Sequence, residues 1–491
     1  MRIRIVGTGV MGRGIAQWAA TAGHTVELGD ARRESVGEAV GFIRSMLDRA
    51  VAKGRSTEAE AAEIAARLVP LDSPVAAGEV DLVVEAVRED LDTKAALFSE
   101  LSRVLPERTL FATNTSSLPI TQIAATLPDP GRLCGLHFFN PVPLMKIVEV
   151  IPGAGTRPDV VGALTAFVRE TGHRAVVVAD TPGFLINHAG RGLVTEALAL
   201  LEEDVAEPAV IDRIARDVLG LRMGPFELMD LTGLDVTAAV IESIWQGFRY
   251  SDRLRASFLT PNRVAAGLHG RKTGRGWFDY RPGAEPPAEP LPEGDASRPV
   301  WIAGTGVELP GATLVERPEE AAVVLVPTWG TTVASAVAER GLPAERTFGV
   351  DPLSLPTPRH VLAITPAADP AAARDAAAIL ALGGKRVSVV RDTAGGVAQR
   401  LLASIVSVAA SIAERGIASP ADIDLGVTAG LGYPAGPLAW GEKVGADRML
   451  ALQRALHAST GDPRYRPTRW LTERAQLGLP LTATGTTPAD L

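Results

Sequence analysis

Three glycines and an acid give the first spacing in the chain that could do chemistry: Gly7, Gly9 and Gly12 in Gly7-Thr8-Gly9-Val10-Met11-Gly12, with Asp30 18 positions beyond Gly12. Glycines so placed can hold a pyrophosphate. Gly7 allows a tight turn, Gly9 lets backbone approach the phosphates, and Gly12 lets a helix pack on a strand. Val10 and Met11 open that helix, whose unpaired N–H groups and positive dipole end attract phosphate oxygens. A carboxylate at Asp30 suits a ribose 2′-hydroxyl and repels a 2′-phosphate, which favours NAD over NADP, with Arg32 and Arg33 following at once. Such a motif carries weight only between a strand and a helix. Here Ile3-Arg4-Ile5-Val6 reads as strand, an alanine-rich stretch to Ala22 as helix, and Thr25-Val26-Glu27-Leu28 as a second strand.

The elements that must position this turn alternate. Val36, Val40, Ile43 and Leu47 fall three or four apart and predict a helix over Arg33 to Ala50. Thr57 to Leu68 predicts another, capped by Ser56 or Thr57. The apolar run Asp81 to Ala86 reads as a strand buried on both faces. Thr93 to Val104 reads as helix and Thr109 to Thr113 as strand, ending in the polar loop Asn114-Thr115-Ser116-Ser117. Two more strands, Leu133 onward and Ile147 to Ile151, flank a loop with His137, the only exposed-looking histidine of the region. Helix Val161–Glu170 and strand Ala175–Val178 complete the set. The fold class is α/β: a Rossmann-type doubly wound sheet over residues 1–179, with ligands expected at the carboxyl ends of its strands. Both Gly7–Gly12 and Asn114–Ser117 sit at such ends.

Beyond Asp180-Thr181-Pro182-Gly183-Phe184 the pattern is helical, giving a second domain over 180–280. Residues 281–299, RPGAEPPAEPLPEGDASRP, have the composition of an extended, solvated linker. After it comes an internal repeat. Asp180-Thr181-Pro182-Gly183 and Asn187 return as Asp392-Thr393-Ala394-Gly395 and Gln399, and Gly224-Pro225 returns as Gly436-Pro437, all 212 residues later. Residues 300–390 read as a degenerate α/β segment with strands at 300–303, 322–326, 360–364 and 386–390, and residues 391–491 as a second helical domain. Gly304-Thr305-Gly306 imitates the first turn without its third glycine, and Pro310 is unwelcome in a phosphate-binding helix. This half is read as having lost its cofactor site.

Composition narrows the partners. A net charge of −8 advertises no basic face for nucleic acid. The single cysteine, Cys134, excludes an intrachain disulfide and suits a cytoplasmic location, where it is expected to be a small buried hydrophobe. The chain opens directly on a strand, so no signal peptide is expected, and no uninterrupted apolar stretch reaches the roughly 20 residues of a membrane span. No metal site is expected.

His137-Phe138-Phe139-Asn140-Pro141, preceded by Asn114-Thr115-Ser116-Ser117 and followed by Asp180-Thr181-Pro182-Gly183-Phe184, resembles the L-3-hydroxyacyl-CoA dehydrogenase family in its long bacterial form with two C-terminal helical domains. The resemblance covers residues 2 to about 281 and resumes at about 390–475. It implies NAD-dependent oxidation of (S)-3-hydroxyacyl-CoA to 3-ketoacyl-CoA, on a short-chain substrate such as 3-hydroxybutyryl-CoA or on 3-hydroxyadipyl-CoA. Residue by residue, it implies that His137 takes the hydroxyl proton and that Glu149 pairs with its imidazole. Ser116 would contact substrate oxygen and nicotinamide, and Asn187 would complete the site. Asp30 would hold the adenosine ribose, Glu89, Lys94, Asn140 and Lys272 would line the cofactor, and Lys53 would meet the CoA phosphates. The chemistry suits these groups, since imidazole is a base near neutral pKa and a carboxylate fixes its tautomer.

Taken singly, the same residues have ordinary readings. His137 beside two phenylalanines could be a satisfied core residue, Asn114–Ser117 a helix cap, Asn187 a polar helix position, and Glu89 with Lys94 a solvated charged face. Two other functions also fit the glycine turn: dehydrogenation of a CoA-free β-hydroxy acid, and a non-catalytic NAD-binding scaffold. In the family the helical domain makes the dimer contact, so a homo-oligomer is one expectation. The other is that residues 390–475 pack against 180–280 within one chain.

Overall fold

The computed structural model describes residues 1–304 and 307–491, and its chain divides into two compact units: residues 1–186 with 416–431, and residues 187–415 with 432–491. The turn proposed at Gly304-Thr305-Gly306 therefore lies partly outside the described residues.

The first unit follows the expected alternation: β1 (Arg2–Val6), α1 (Val10–Thr21), β2 (Thr25–Gly29), α2 (Arg33–Ala52), α3 (Glu58–Ala66), β3 (Leu68–Pro70), β4 (Leu82–Glu85), α4 (Leu91–Val104), β5 (Leu110–Thr113), α5 (Ile120–Ala124), β6 (Leu133–Phe138), β7 (Ile147–Pro152), α6 (Pro158–Glu170) and β8 (Arg174–Val177). The strands form one sheet in the order β3-β2-β1-β4-β5-β6-β7-β8. Every pairing is parallel except β6 with β7. Thr57 caps α3 through a capping box with Glu60, leaving Ser56 outside the cap. The helix drawn from Thr57 to Leu68 stops at Ala66, because Leu68 to Pro70 pairs with β2 as a short edge strand. Ile3, Ile5, Leu82 and Val84 are fully or almost fully buried, as expected where helices cover both faces of a sheet.

The second unit begins inside helix α7 (Ile186–Glu202) and continues through α8 (Pro208–Asp217), α9 (Pro225–Thr232), α10 (Leu234–Gly247) and α11 (Leu259–Ala265). Segment 281–299 has no regular structure and is largely exposed, yet it is fastened: Glu289 pairs with the buried Arg359 at 2.5 Å, and Asp295 N–H donates to Asp375 at 2.8 Å. Next come β9 (Val300–Ile302), β10 (Val323–Pro327), α12 (Val333–Arg340), β11 (Thr347–Val350), β12 (Arg359–Ile364), α13 (Pro370–Leu380) and β13 (Arg386–Arg391). They form a five-stranded sheet in the order β13-β12-β11-β10-β9. β11 was not legible in the sequence. The helices α14 (Gly396–Glu414), α15 (Pro420–Leu431), α16 (Pro437–Val444), α17 (Ala446–Thr460) and α18 (Arg469–Leu477) close the chain, with α15 belonging to the first unit.

This small sheet repeats β4–β8. Its pairings run parallel, parallel, antiparallel, parallel, in the same sequence as those from β4 to β8. Ile147 faces Arg174 as Arg359 faces Arg386, both shifted by 212. The helical repeat packs upon itself within the second unit. A Cβ on Gly192 of α7 would lie 3.0 Å from the carbonyl of Ser404 on α14, and 192 and 404 are equivalent positions in the repeat. Arg400 is buried between Glu196 and Glu203, and Tyr465 donates to Glu196 at 2.6 Å. By length and composition α14 could cross a membrane, although Gln399 and Arg400 interrupt its apolar run, and 89% of its apolar window is buried inside the chain. That is the pattern of a core helix.

Candidate functional site

At the first turn each glycine meets a distinct requirement. Gly7 has φ +92° and a Cβ there would lie 2.5 Å from the Ala86 carbonyl oxygen. A Cβ on Gly12 would lie 1.8 Å from the Gly7 carbonyl oxygen, so only glycine lets α1 come this close to β1. In front of Gly9 there is open space. α1 has no side-chain cap and no acid in its first turn, which leaves its N–H groups and dipole available to an anion. Asp30 directly follows β2, with Oδ2 accepting from Thr8 N–H at 2.8 Å and Thr8 Oγ1 at 3.0 Å, and Oδ1 accepting from Arg32 N–H. The residues present fit a dinucleotide.

His137 and Glu149 face each other across the antiparallel pair β6–β7, which sets both side chains on one side of the sheet. His137 Nδ1 lies 2.5 Å from Glu149 Oε2. The other carboxylate oxygen accepts from Leu185 N–H at 2.9 Å and Ile186 N–H at 2.8 Å, at the start of α7. Gly183 and Phe184 both take positive φ, and this bend aims the two N–H groups. Glu149 is fully buried with both oxygens bonded, as a buried carboxylate must be. The His137 ring packs on Phe139 and Phe184, with centroids 4.4 and 5.8 Å away. The expectation of an exposed histidine is corrected: His137 is only 5% exposed, since two aromatic rings wall it in. Its Nε2 has no hydrogen-bond partner among the described residues.

The loop after β5 is tied to this pair. Asn114 Oδ1 accepts from Phe138 N–H at 2.8 Å, fixing the loop to the end of β6. Glu89 Oε1 accepts from Thr115 Oγ1, from Ser116 N–H and Oγ, and from Ser117 N–H and Oγ, at 2.7 to 3.3 Å. Partial burial works against a charged Glu89, but these bonds and the Lys94 ammonium outweigh it and hold its carboxyl below the usual range. Lys94 is 1% exposed and lies 2.6 Å from Glu85 and 3.3 Å from Glu89, so a solvated face is excluded for it. Ser116 and Asn140 are exposed. Asp180, which the sequence offered only as a motif letter, caps α5 by accepting from Ile120 and Thr121 N–H.

Lys53 lines a cavity of about 560 Å³ together with Arg13, Phe42, Arg49, Arg55 and Leu144. The Arg13 guanidinium lies 3.8 Å from the Phe42 ring centroid. Val10 and Asn140 reach the same cavity. None of its four cations has an ion-pair partner among the described residues, so the cavity sets unpaired positive charge beside an apolar wall. Sequence reading found Lys53 alone; Arg13, Arg49 and Arg55 are brought in by the fold. Of the remaining expected residues, Asn187 opens the second unit on α7, its amide without a partner among the described residues. Lys272, also in that unit, pairs with Asp235 at 2.5 Å. Cys134 is fully buried, which pushes its thiol up to about 12 and leaves it unreactive.

Known proteins resemble the chain over most of its length. Residues 2–181 match the 3-hydroxyacyl-CoA dehydrogenase NAD binding domain, and residues 183–280 and again 395–490 match the C-terminal domain of the same family. The chain thus belongs to the 3-hydroxyacyl-CoA dehydrogenase family. It is an NAD-dependent oxidoreductase acting on 3-hydroxyacyl-CoA. It is 38% identical over 477 residues to the 3-hydroxyadipyl-CoA dehydrogenase of Escherichia coli K12, covering 97% of both chains. A probable 3-hydroxybutyryl-CoA dehydrogenase of Bacillus subtilis is 38% identical over 279 residues, 57% of this chain and 97% of that one. Among solved structures, a 3-hydroxybutyryl-CoA dehydrogenase from Escherichia coli K12 superposes with a TM-score of 0.88 at 36% identity, covering 97% of this chain and 98% of that one.

Proposed function

We propose that one active site per chain oxidises (S)-3-hydroxyacyl-CoA thioesters, with His137 as general base, and the observation that carries this is the His137–Glu149 pair. The Glu149 carboxylate holds Nδ1 protonated, so Nε2 presents a lone pair to the substrate hydroxyl. As the proton moves to Nε2, the neighbouring negative charge stabilises the imidazolium. NAD, when bound, supplies the hydride acceptor. General base catalysis of this kind contributes about 10²–10⁴-fold.

Ser116 and Asn187 are proposed to hydrogen-bond the substrate oxygens and orient the C3–H bond. Gly7, Gly9, Val10, Met11, Gly12 and Asp30 would hold the pyrophosphate and ribose, with Glu89, Lys94, Asn140 and Lys272 as further cofactor contacts. The Glu89 carboxylate organises the Thr115–Ser117 loop, and Lys94 holds Glu89 in place. Lys53 and the three arginines around it support a CoA thioester over a free hydroxy acid, because a CoA phosphate chain needs such partners and a small acid does not. The complete His137 site speaks against a mere scaffold. A cytoplasmic enzyme is proposed, with the contacts between α7 and α14 standing in for a dimer interface.

A panel of CoA thioesters with NAD tests the reading. NADH formation with 3-hydroxyacyl-CoA and none with free 3-hydroxy acids is expected; activity on free acids alone would overturn it.

A further inference from the structure

Arg191 lies one turn beyond Asn187 on α7, and its charge is uncompensated. Its Nε donates to the Asn187 carbonyl at 3.0 Å, while Nη1 is buried with no hydrogen-bond partner among the described residues. No carboxylate pairs with it among the described residues. The ionisable groups that act on it and on its neighbour His188 are Tyr433 and Arg415, and neither carries a negative charge at neutral pH. The Tyr433 hydroxyl, 7% exposed as a residue, likewise has no partner among the described residues. Burial pulls the Arg191 guanidinium down to about 10, so it stays charged at neutral pH. A buried cation without a counter-ion is costly unless an anion arrives with a ligand. The second copy of the repeat dispenses with it, since Ala403 stands at the equivalent position of α14.

We propose that Arg191, with Tyr433, receives the distal carboxylate of a dicarboxylyl-CoA substrate and sets acyl specificity. This rests on the reading above, in which Asn187 contacts the reacting end of the acyl group. The CoA phosphates have their own cations around Lys53, so they do not need Arg191. The Nε contact with the Asn187 carbonyl keeps the guanidinium beside Asn187, within reach of a carboxylate three carbon–carbon bonds from C3.

The test compares (S)-3-hydroxyadipyl-CoA with (S)-3-hydroxyhexanoyl-CoA, which has the same chain length and a methyl end. The wild-type enzyme should prefer the diacid. Arg191→Gln should lower kcat/KM for the diacid by about 10- to 100-fold, as expected for a lost charged hydrogen bond, and leave the hexanoyl ester within about twofold. Arg191→Lys should restore part of the loss. Equal losses on both substrates, a KM rise for every CoA thioester alike, or no change would overturn the proposal. If Arg191→Gln fails to fold, Tyr433→Phe serves instead, with a selective loss on the diacid expected and an equal effect on both esters contradictory. A wild-type enzyme active on the hexanoyl ester without preferring the diacid would overturn this inference alone. One inactive on both would overturn the underlying reading with it.

Discussion

The antiparallel pair β6–β7 and its repeat β11–β12 keep the same strand directions and enclose opposite chemistry. Their registers differ by two residues. Leu136 faces Val150, whereas Val350 faces Leu362, so β12 follows β7 at an offset of 212 and β11 follows β6 at 214. Asp351 therefore stands where His137 does, and Val361 where Glu149 does. In the first copy the carboxylate is saturated by backbone and imidazole, and Nε2 is left over. In the second, Gln399 uses its amide on Gly330 N–H, the Thr328 carbonyl and Asp351 Oδ1, at 2.9 to 3.0 Å. Those bonds tie loops to the core and leave little for a substrate. Part of the framework is retained nonetheless. Asp392 caps α12 through Val333 and Ala334 N–H just as Asp180 caps α5. Duplication has thus kept the helix-capping acid and replaced the histidine.

The sharpest way to break this contrast is at the carboxylates. Glu149→Gln offers Nδ1 a donor where it needs an acceptor, and kcat should fall by about 10²–10⁴-fold, by analogy with the wrong-tautomer effect in hydrolase triads. Steady-state kinetics at saturating NAD checks this, and a fall below tenfold would detach Glu149 from the base. At the cofactor turn, Asp30→Ala should raise the KM for NAD by about 10-fold through loss of a charged hydrogen bond and leave kcat near its original value. A rise in kcat with NADP beyond that with NAD would show that Arg32 and Arg33 govern the choice instead.

In the second copy the expected effects are on stability. Burial raises the Asp351 carboxyl to about 6, and its Oδ2 has no hydrogen-bond partner among the described residues. A carboxyl with a raised folded-state pKa favours folding while protonated. That contribution is complete below the ordinary value near 3.8 and is lost as pH rises through about 6. Asp351→Asn should therefore flatten the fall in melting temperature between about pH 4 and pH 6, by an amount equivalent to at most about 3 kcal/mol. Thermal melts across that range check it, and an unchanged slope would mean that Asp351 does not titrate there. Smallest of all, Gln399→Asn should change turnover by less than about twofold. A large loss of activity would give the second copy a catalytic part.

Much of the first site is legible in sequence because its signals are local. The glycine turn, its flanking strands and Asp30 occupy 30 consecutive positions, and Gly7 and Gly12 each have a steric reason to be there. The His137–Glu149 pairing is spaced as a strand, a loop and a returning strand. What stayed hidden depends on distant partners. Asp180 caps a helix 60 residues earlier, and Arg13, Arg49 and Arg55 converge only once α1 and α2 are packed. Edge strand β3 is three residues ending in proline, and β11 is four residues containing Gly349, too short for a period-two pattern to emerge. The two-residue register difference is invisible to a constant offset of 212, so only strand pairing shows that Asp351 is the counterpart of His137.

His137→Ala, with substrate turnover and NADH titration measured on the same preparation, decides whether the chain has a single active site with His137 as its base. Turnover should fall by at least about 10²-fold, while the variant still binds one NADH per chain. Retention of most of the wild-type kcat, or two NADH sites per chain, would contradict it.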